Sequence, residues 1–301
     1  MAEADAGVVH LDEAYCARLL PARDPAGHKG TFGTVLCVAG SLDYVGAALL
    51  TAMAAARGGA GLVVLCVPKW LQEVVAGRVP EVVTLGLPAS DDASDLDYSA
   101  TVALLATRRM DAMVFGPGLA DTEGYRSLLL NLLSEDGAPV VIDGSGMSLL
   151  ARSPTWWSEV SRTCVLTPHP GEFERLTGLA VGESDEERME RCVRAASTFR
   201  QVVVLKGAHT VVAEPEGRVA ISPFANPALA TAGSGDVLAG LIGALLAQGV
   251  EAFNAACLGV YLHGMAGERV SERLGDSGLL ASDLPYEIAV ARHDLGAKRG
   301  D

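Results

Sequence analysis

With 301 residues the chain can bury a large core, as one big α/β domain or two smaller ones. Half of it is hydrophobic, with 34 glycines and few aromatics, a balance that suits helices packed closely on a parallel sheet. The net charge of −14 argues against a nucleic-acid partner or an anionic membrane surface, while leaving room for local basic pockets that hold phosphates.

Residues 1–28 read as a polar lead-in, with a short helix near Leu11 to Leu20 ended by Pro21, and residues 29–295 read as a single domain. The acidic N-terminus has no basic segment followed by an apolar one, and no apolar run reaches about 18 residues, so a cytoplasmic protein without signal peptide or membrane span is expected. Lys29-Gly-Thr-Phe-Gly33 launches a buried strand, Thr34 to Ala39. Gly40 to Gly46 turns, Ala47 to Arg57 is an alanine-rich helix, and Leu62 to Val67 is the next strand. Strand, turn, helix and strand in that order are the signature of a parallel sheet.

The alternation continues with a short helix at Trp70 to Gly77, a strand at Glu81 to Leu85, an acidic surface loop at Pro88 to Asp97, and a strand at Ala112 to Phe115 that ends in Gly116-Pro-Gly118. A helix at Gly124 to Leu133 precedes a strand, Pro139 to Ile142, that ends in Asp143-Gly144. Cys164 to Leu166 ends in Thr167-Pro-His169-Pro-Gly171-Glu172. Glu183 to Phe199 is an amphipathic helix whose charges read as a solvated face. Gln201 to Lys206 is a strand, His209 to Glu214 and Arg218 to Ile221 form an antiparallel pair, and helices follow at Ala252 to Leu274 and Leu284 to Ala291. The six cysteines are scattered, without a C-x-x-C pair and several of them within apolar runs, which points to buried reduced thiols and no metal cluster.

The organising stretch is Asn226 to Gly240, a flexible turn opening into a long apolar helix. The small residues Ala232, Gly233, Ser234 and Gly235 let consecutive backbone N–H groups close around an oxyanion, and the first helical turn adds unsatisfied donors. Asp236 stands at the positive end of the helix, placed to take a proton from a hydroxyl that attacks a phosphoryl group held there. The plainer alternative has Ser234 capping the helix and Asp236 complementing its dipole.

In open parallel sheets ligands lie at the carboxyl ends of strands, where the polar punctuation of this chain also collects. Gly116 and Gly118 allow backbone to approach a ligand. His169, between two prolines, can donate to a phosphate or carbonyl, or be a plain turn histidine. Asp143 and Glu172 can hold Mg²⁺ through water, although Glu172 can equally be an N-terminal helix carboxylate. Lys206 can pair with a phosphate, and His209 and Thr210 follow it in position to line a nucleotide pocket.

Gly-Ser-Gly-Asp at 233–236, with its Asn-Pro-Ala-Leu-Ala-Thr lead-in, resembles the anion-hole signature of the ribokinase superfamily. Together with Lys29 to Gly33, Gly40 to Ala47, Gly116 to Gly118, Thr167 to Glu172 and Leu205 to Thr210, it resembles the ADP-dependent NAD(P)H-hydrate dehydratases of nicotinamide nucleotide repair over roughly Lys29 to Leu274. The resemblance implies a ribokinase-like three-layer αβα sandwich around a central, mostly parallel sheet. It implies that Ala47, Gly118, His169 and Asp236 contact the hydrated dinucleotide, and that Lys206, Gly207, Ala208, His209, Thr210 and Gly235 bind the adenine nucleotide. The implied partners are NADH-hydrate or NADPH-hydrate and ADP (or ATP) with Mg²⁺, in a homo-oligomer expected to be a tetramer. The lead-in is too short for the epimerase domain fused to this one in many relatives. Two departures from the family pattern are conservative: Ser234 where threonine is usual, and Ala120 where a further glycine is common.

The expected chemistry is dehydration of the S-epimer by phosphorylation. Hydroxide is a poor leaving group, phosphate a far better one, and the ring nitrogen can expel it. The first rival is a kinase of the same superfamily for a hydroxyethylthiazole, hydroxymethylpyrimidine or pyridoxal-type alcohol, whose phosphorylated product would persist. The second is a non-catalytic nucleotide-binding regulator, against which the presence of both Asp236 and Lys206 argues.

Overall fold

Apolar runs that are covered on both faces form most of the strands, and the structure, a computed structural model, describes residues 7–91 and 95–298. The strands are β1 (Val9–His10), β2 (Thr34–Val38), β3 (Leu62–Pro68), β4 (Val83–Leu87), β5 (Ala112–Phe115), β6 (Val140–Ile142), β7 (Cys164–Leu166), β8 (Val202–Leu205), β9 (Val211–Ala213) and β10 (Val219–Ile221). They build one ten-stranded sheet in the order β1-β10-β9-β8-β7-β6-β5-β2-β3-β4. Only β9 runs against the rest, pairing antiparallel with β8 and β10. Side chains still alternate: Val35, Cys37 and Val114 enter one core while Leu36, Val38 and Phe115 enter the other.

The helices are α1 (Glu13–Leu19), α2 (Val45–Arg57), α3 (Gln72–Ala76), α4 (Tyr98–Ala106), α5 (Glu123–Ser134), α6 (Ser145–Ala151), α7 (Pro170–Thr177), α8 (Asp185–Phe199), α9 (Ser234–Ala247), α10 (Ala252–Leu274) and α11 (Leu284–Ala297). Residues of α1, α2, α3, α9, α10 and α11 pack into the first core, and residues of α4 to α8 into the second. This is the expected three-layer αβα sandwich. The chain passes from β4 back across the sheet to β5, so β2 and β5 are neighbours whose onward connections run in opposite directions, a topological switch point.

α9 is buried on nearly every side because its sequence is apolar all round. Gly240 and Gly243 let it press against the Thr51 carbonyl of α2 and the Val114 side chain of β5, where a Cβ would collide. The same packing aims its N-terminus at the carboxyl ends of β5 to β8.

Several elements differ from expectation. The part of the lead-in that is described joins the fold: β1 pairs with β10, and Cys16 and Leu20 are buried in the first core. Three short helices, α4, α6 and α7, occupy stretches read as loops or left unassigned. The acidic 88–97 surface loop is tied down in its described part: Leu96 is buried and the Asp95 carboxylate accepts from the Thr122 hydroxyl and the Gly124 N–H. All six cysteines are buried free thiols. No helix among the described residues is long and apolar enough to cross a membrane.

Candidate active site

The carboxyl ends of β6, β7 and β8 converge with the N-terminus of α9 on one cluster of charges. Lys206, just past β8, places its Nζ 2.7 Å from Asp143 Oδ1 and 4.0 Å from Glu172 Oε2. The same Asp143 oxygen accepts the Thr167 hydroxyl at 2.7 Å. Burial alone would lower the Lys206 ammonium, but Asp143, Glu172 and Asp236 together carry it above its ordinary value. The lysine is therefore a fixed cation, not a proton donor.

His169 is the N-cap of α7. Its Nδ1 accepts from the N–H groups of Gly171 at 3.0 Å and Glu172 at 3.4 Å, and Glu172 Oε2 accepts in return from the His169 N–H at 2.8 Å. With Nδ1 an acceptor, the neutral ring carries its proton on Nε2, on a half-exposed side chain. Burial, with Lys206 and Arg175 adding to it, lowers the His169 pKa and favours that neutral form. Glu172 is thus a helix-capping carboxylate, held above its usual pKa range by burial. Among the described residues no three His, Cys, Asp or Glu side chains are grouped to hold a metal ion. Asp143 and Glu172, already engaged with Lys206, Thr167 and the His169 N–H, fit only a water-mediated contact to one.

The turn at 231–236 looks different. Gly233 sits at φ +91, and a Cβ there would meet Leu50 Cδ1 at 2.5 Å, so only glycine makes this entry. Ser234 N–H is taken by Thr231 O at 3.3 Å and the Ser234 hydroxyl by Leu229 O at 2.7 Å. The N–H groups of Ala232, Gly233, Gly235 and Asp236 find no acceptor among the described residues. The oxyanion donors on offer are therefore these four amides, and Ser234 fastens the loop. The Asp236 carboxylate also makes no hydrogen bond or ion pair there, and burial followed by the charge of Asp143 pushes its pKa up to about 7. Gly235 brings the two halves together: a Cβ on it would lie 3.1 Å from Lys206 Nζ and 3.9 Å from Asp143 Oδ2.

The stretch expected to bind nucleotide, Lys206 to Thr210, is shaped from beneath by α8. Gly207 adopts φ +150, and a Cβ on it would meet Arg188 Nη2 at 2.8 Å. Arg188 is buried, donates to Ala208 O and Leu205 O, and lies 3.6 Å from Asp185 Oδ1. The carboxylate of Asp185 also takes His209 Nδ1 at 2.8 Å, which holds His209 at its left-handed φ of +50. Thr210 closes the loop by donating to Gly207 O at 3.0 Å. The solvated-face reading of α8 is therefore wrong for Arg188, whose guanidinium turns inward to satisfy loop carbonyls. No signal in the helical pattern distinguishes it from its solvated neighbours.

Ala47 and Gly118 meet at the switch point, where a Cβ on Gly118 would lie 2.7 Å from both Ala47 Cβ and Tyr44 Cβ. Beside them a cavity of about 640 Å³ opens at the carboxyl ends of β2 to β5, lined by Tyr44, Trp70, Leu119 and Tyr125 among others. Asp43, Asp95 and Asp121 also line it, and among the described residues no basic side chain does.

The fold and an anion-directed helix terminus facing a fixed lysine define a ribokinase-like α/β protein. A ribokinase-like superfamily protein from Enterococcus faecalis superposes with a TM-score of 0.80 at 23% identity, over 98% of each chain. The family described as NAD(P)H-hydrate dehydratase matches residues 35–289, and this chain belongs to it. It is 40% identical over 283 residues to a bifunctional NAD(P)H-hydrate repair enzyme of Moorella thermoacetica, covering 92% of this chain and 53% of that one, so it spans about half the length of such relatives. It is 38% identical to an ADP-dependent (S)-NAD(P)H-hydrate dehydratase of Neisseria meningitidis over 87% of this chain and 86% of the other. The ADP/ATP-dependent NAD(P)H-hydrate dehydratase of Bacillus subtilis, co-crystallised with ATP/Mg²⁺, superposes with a TM-score of 0.83 at 32% identity, over 96% of this chain and 99% of that one. A hydroxyethylthiazole kinase shares the fold at a TM-score of 0.59 and 18% identity.

Proposed function

We propose that the protein dehydrates the S-epimer of NADH-hydrate and NADPH-hydrate, using ADP as phosphoryl donor and giving NAD(P)H, AMP and phosphate. The observation that carries this reading is Asp236: a half-buried carboxylate with no hydrogen-bond or ion-pair partner among the described residues, its pKa pushed up to about 7, at a helix start where the Gly235 and Asp236 amides are free. Asp236 takes the proton of the substrate's ring hydroxyl as its oxygen attacks the terminal phosphorus of ADP, and AMP leaves. The Ala232, Gly233 and Gly235 amides and the Lys206 ammonium face the charge on the transferring phosphoryl group. The ring nitrogen then expels phosphate, and loss of a neighbouring proton restores the dihydropyridine. The rival kinases would stop at the phosphorylated alcohol.

Ala47, Gly118 and the Nε2–H of His169 are read as contacts of the hydrated dinucleotide, and Lys206 to Thr210 with Gly235 as the nucleotide subsite. The cavity beside Tyr44 and Trp70, partly apolar and edged by carboxylates, suits the adenosine end of NADH-hydrate, which lacks the 2′-phosphate of NADPH-hydrate, better than a phosphate. Mg²⁺ carried on the nucleotide phosphates would neutralise charge there, reached by Asp143 and Glu172 through water. A cytoplasmic homotetramer is the expected setting. Exposed Leu274, Leu280 and Tyr286 offer apolar surface for assembly, which light scattering reads directly.

The test is to mix the protein with hydrated NADH, Mg²⁺ and either ADP or ATP, and to follow the dihydronicotinamide absorbance. Nucleotide-dependent recovery, faster with ADP, supports the reading; nucleotide binding without recovery sinks it.

A further inference from the structure

His263 lies on α10, buried at 8% exposure in a stretch whose other side chains are mostly apolar core. Its Nε2 is 3.0 Å from the backbone oxygen of Ser234, the first residue of α9. A carbonyl oxygen can only accept, so the ring donates, and the Nε2–H tautomer is required. Burial, with Lys206 adding to it, holds the imidazolium pKa down to about 4, so the ring is a neutral donor at working pH.

The oxygen that His263 holds belongs to the same planar peptide unit as the Gly235 N–H. That N–H has no acceptor among the described residues, and its residue stands beside the Lys206–Asp143 pair, where a Cβ would lie 3.1 Å from Lys206 Nζ. Hydrogen bonds on the two ends of one amide polarise each other, so a donor on the Ser234 oxygen makes the Gly235 N–H a stronger donor to an anion. It also fixes the plane of that peptide. The Ser234 hydroxyl bond to Leu229 O and the Asn226 bonds to the Ala228 N–H and Ser271 Oγ hold the loop before the turn. Among the described residues His263 is the side chain that grips the peptide presenting the donor, beside the helical bond that the Ser234 oxygen takes from the Leu238 N–H.

We infer that His263 is a positioning residue of the anion hole, fixing and polarising the Ser234–Gly235 peptide so that the Gly235 N–H meets the transferring phosphoryl group. The inference rests on the reading of this turn as a phosphoryl site. Removing an oxyanion donor outright costs about 10²–10³ in turnover, and weakening one should cost about tenfold.

The experiment compares His263→Leu, which fills the space without a donor, with His263→Gln, whose amide can reach the same oxygen; His263→Met replaces the leucine variant should that fail to fold. Two readouts are taken: turnover with hydrated NADH, and calorimetric affinities for ADP and AMP. The ratio of those affinities reports the contact to the terminal phosphoryl without any turnover. The leucine variant should lose about tenfold in kcat with KM for the hydrate nearly unchanged, and its preference for ADP over AMP should narrow severalfold. The glutamine variant should recover most of both. The inference is overturned if the leucine variant keeps wild-type kcat and ADP-over-AMP ratio, or if glutamine rescues neither. Should the wild-type protein bind ADP but not restore NADH, the dehydratase reading fails alone, and the affinity ratio still decides the role of His263.

Discussion

The two halves of the site use the same residue types to opposite ends. On the β6–β8 side the carboxylates and the capping groups already have partners: Asp143 takes Thr167 and Lys206, Glu172 takes the His169 N–H, and His169 Nδ1 takes two amides. On the α9 side Asp236 and four consecutive-region amides have none among the described residues. Two aspartates within reach of one lysine therefore differ: Asp143 is the lysine's fixed counter-ion, whereas burial and the neighbouring carboxylates raise Asp236 to about 7. The bonded half sets Lys206 and His169 in place, and the unbonded half offers the base and the amides that are to receive a ligand's proton and charge.

Predictions that break this contrast follow from its largest expected effect downwards. Asp236→Asn should lower turnover by the ~10²–10⁴ of a positioned general base while ADP still binds. The raised pKa adds a second signature with a definite sign. The folded state holds its proton more tightly than the unfolded chain, so ionised Asp236 costs stability as pH rises from the unfolded carboxylate range to about 7. At neutral pH the asparagine variant should melt higher, by roughly 1–2 kcal/mol of stability after discounting for water penetration. Near-normal turnover or a lower melting point would count against the assignment.

Lys206→Met strikes the bonded half, leaving Asp143 and Glu172 buried without their cation. Denaturant unfolding should show a loss of about 3 kcal/mol, as when one partner of a buried pair is removed. A change below ~1 kcal/mol would mean that the pair is solvated. In the wild-type protein kcat/KM should rise with pH through about 7 and be about tenfold lower at pH 6 than on its plateau, because the base must be ionised. A flat profile from pH 6 to 8 would remove Asp236 from that role. The smallest effect is expected at Arg188→Met, which strips donors from the carbonyls of Ala208 and Leu205. KM for ADP should rise several-fold, in line with about 1 kcal/mol for the one buried carbonyl, that of Leu205, left short of a donor while water reaches the exposed Ala208, with KM for the hydrate unmoved.

How much of this was legible in the chain depends on range. β2, β3, β5, β7 and β8 declare themselves as apolar runs, and α10 spans the expected Ala252–Leu274, because local pattern and burial agree there. The two-residue β1 carries no pattern, and α6 and α7 are short helices behind glycine or proline turns that read as loops. Among candidate site residues, the motif loops point to Asp236, Lys206, Asp143 and His169 by type and spacing. Arg188 and His263 are invisible for a physical reason: one is a charge on a charged helix, the other a histidine in an apolar one. Only the fold shows that each reaches a carbonyl at the site. Ser234, read as an anion donor, instead spends both its N–H and its hydroxyl on the loop.

The most direct test of the central claim is a product balance on one reaction of the protein with hydrated NADH, ADP and Mg²⁺. One AMP and one phosphate are expected for each NADH restored, all three falling together in Asp236→Asn. AMP accumulating with a stable phosphorylated compound, and no phosphate or NADH, would contradict it and make the protein a kinase.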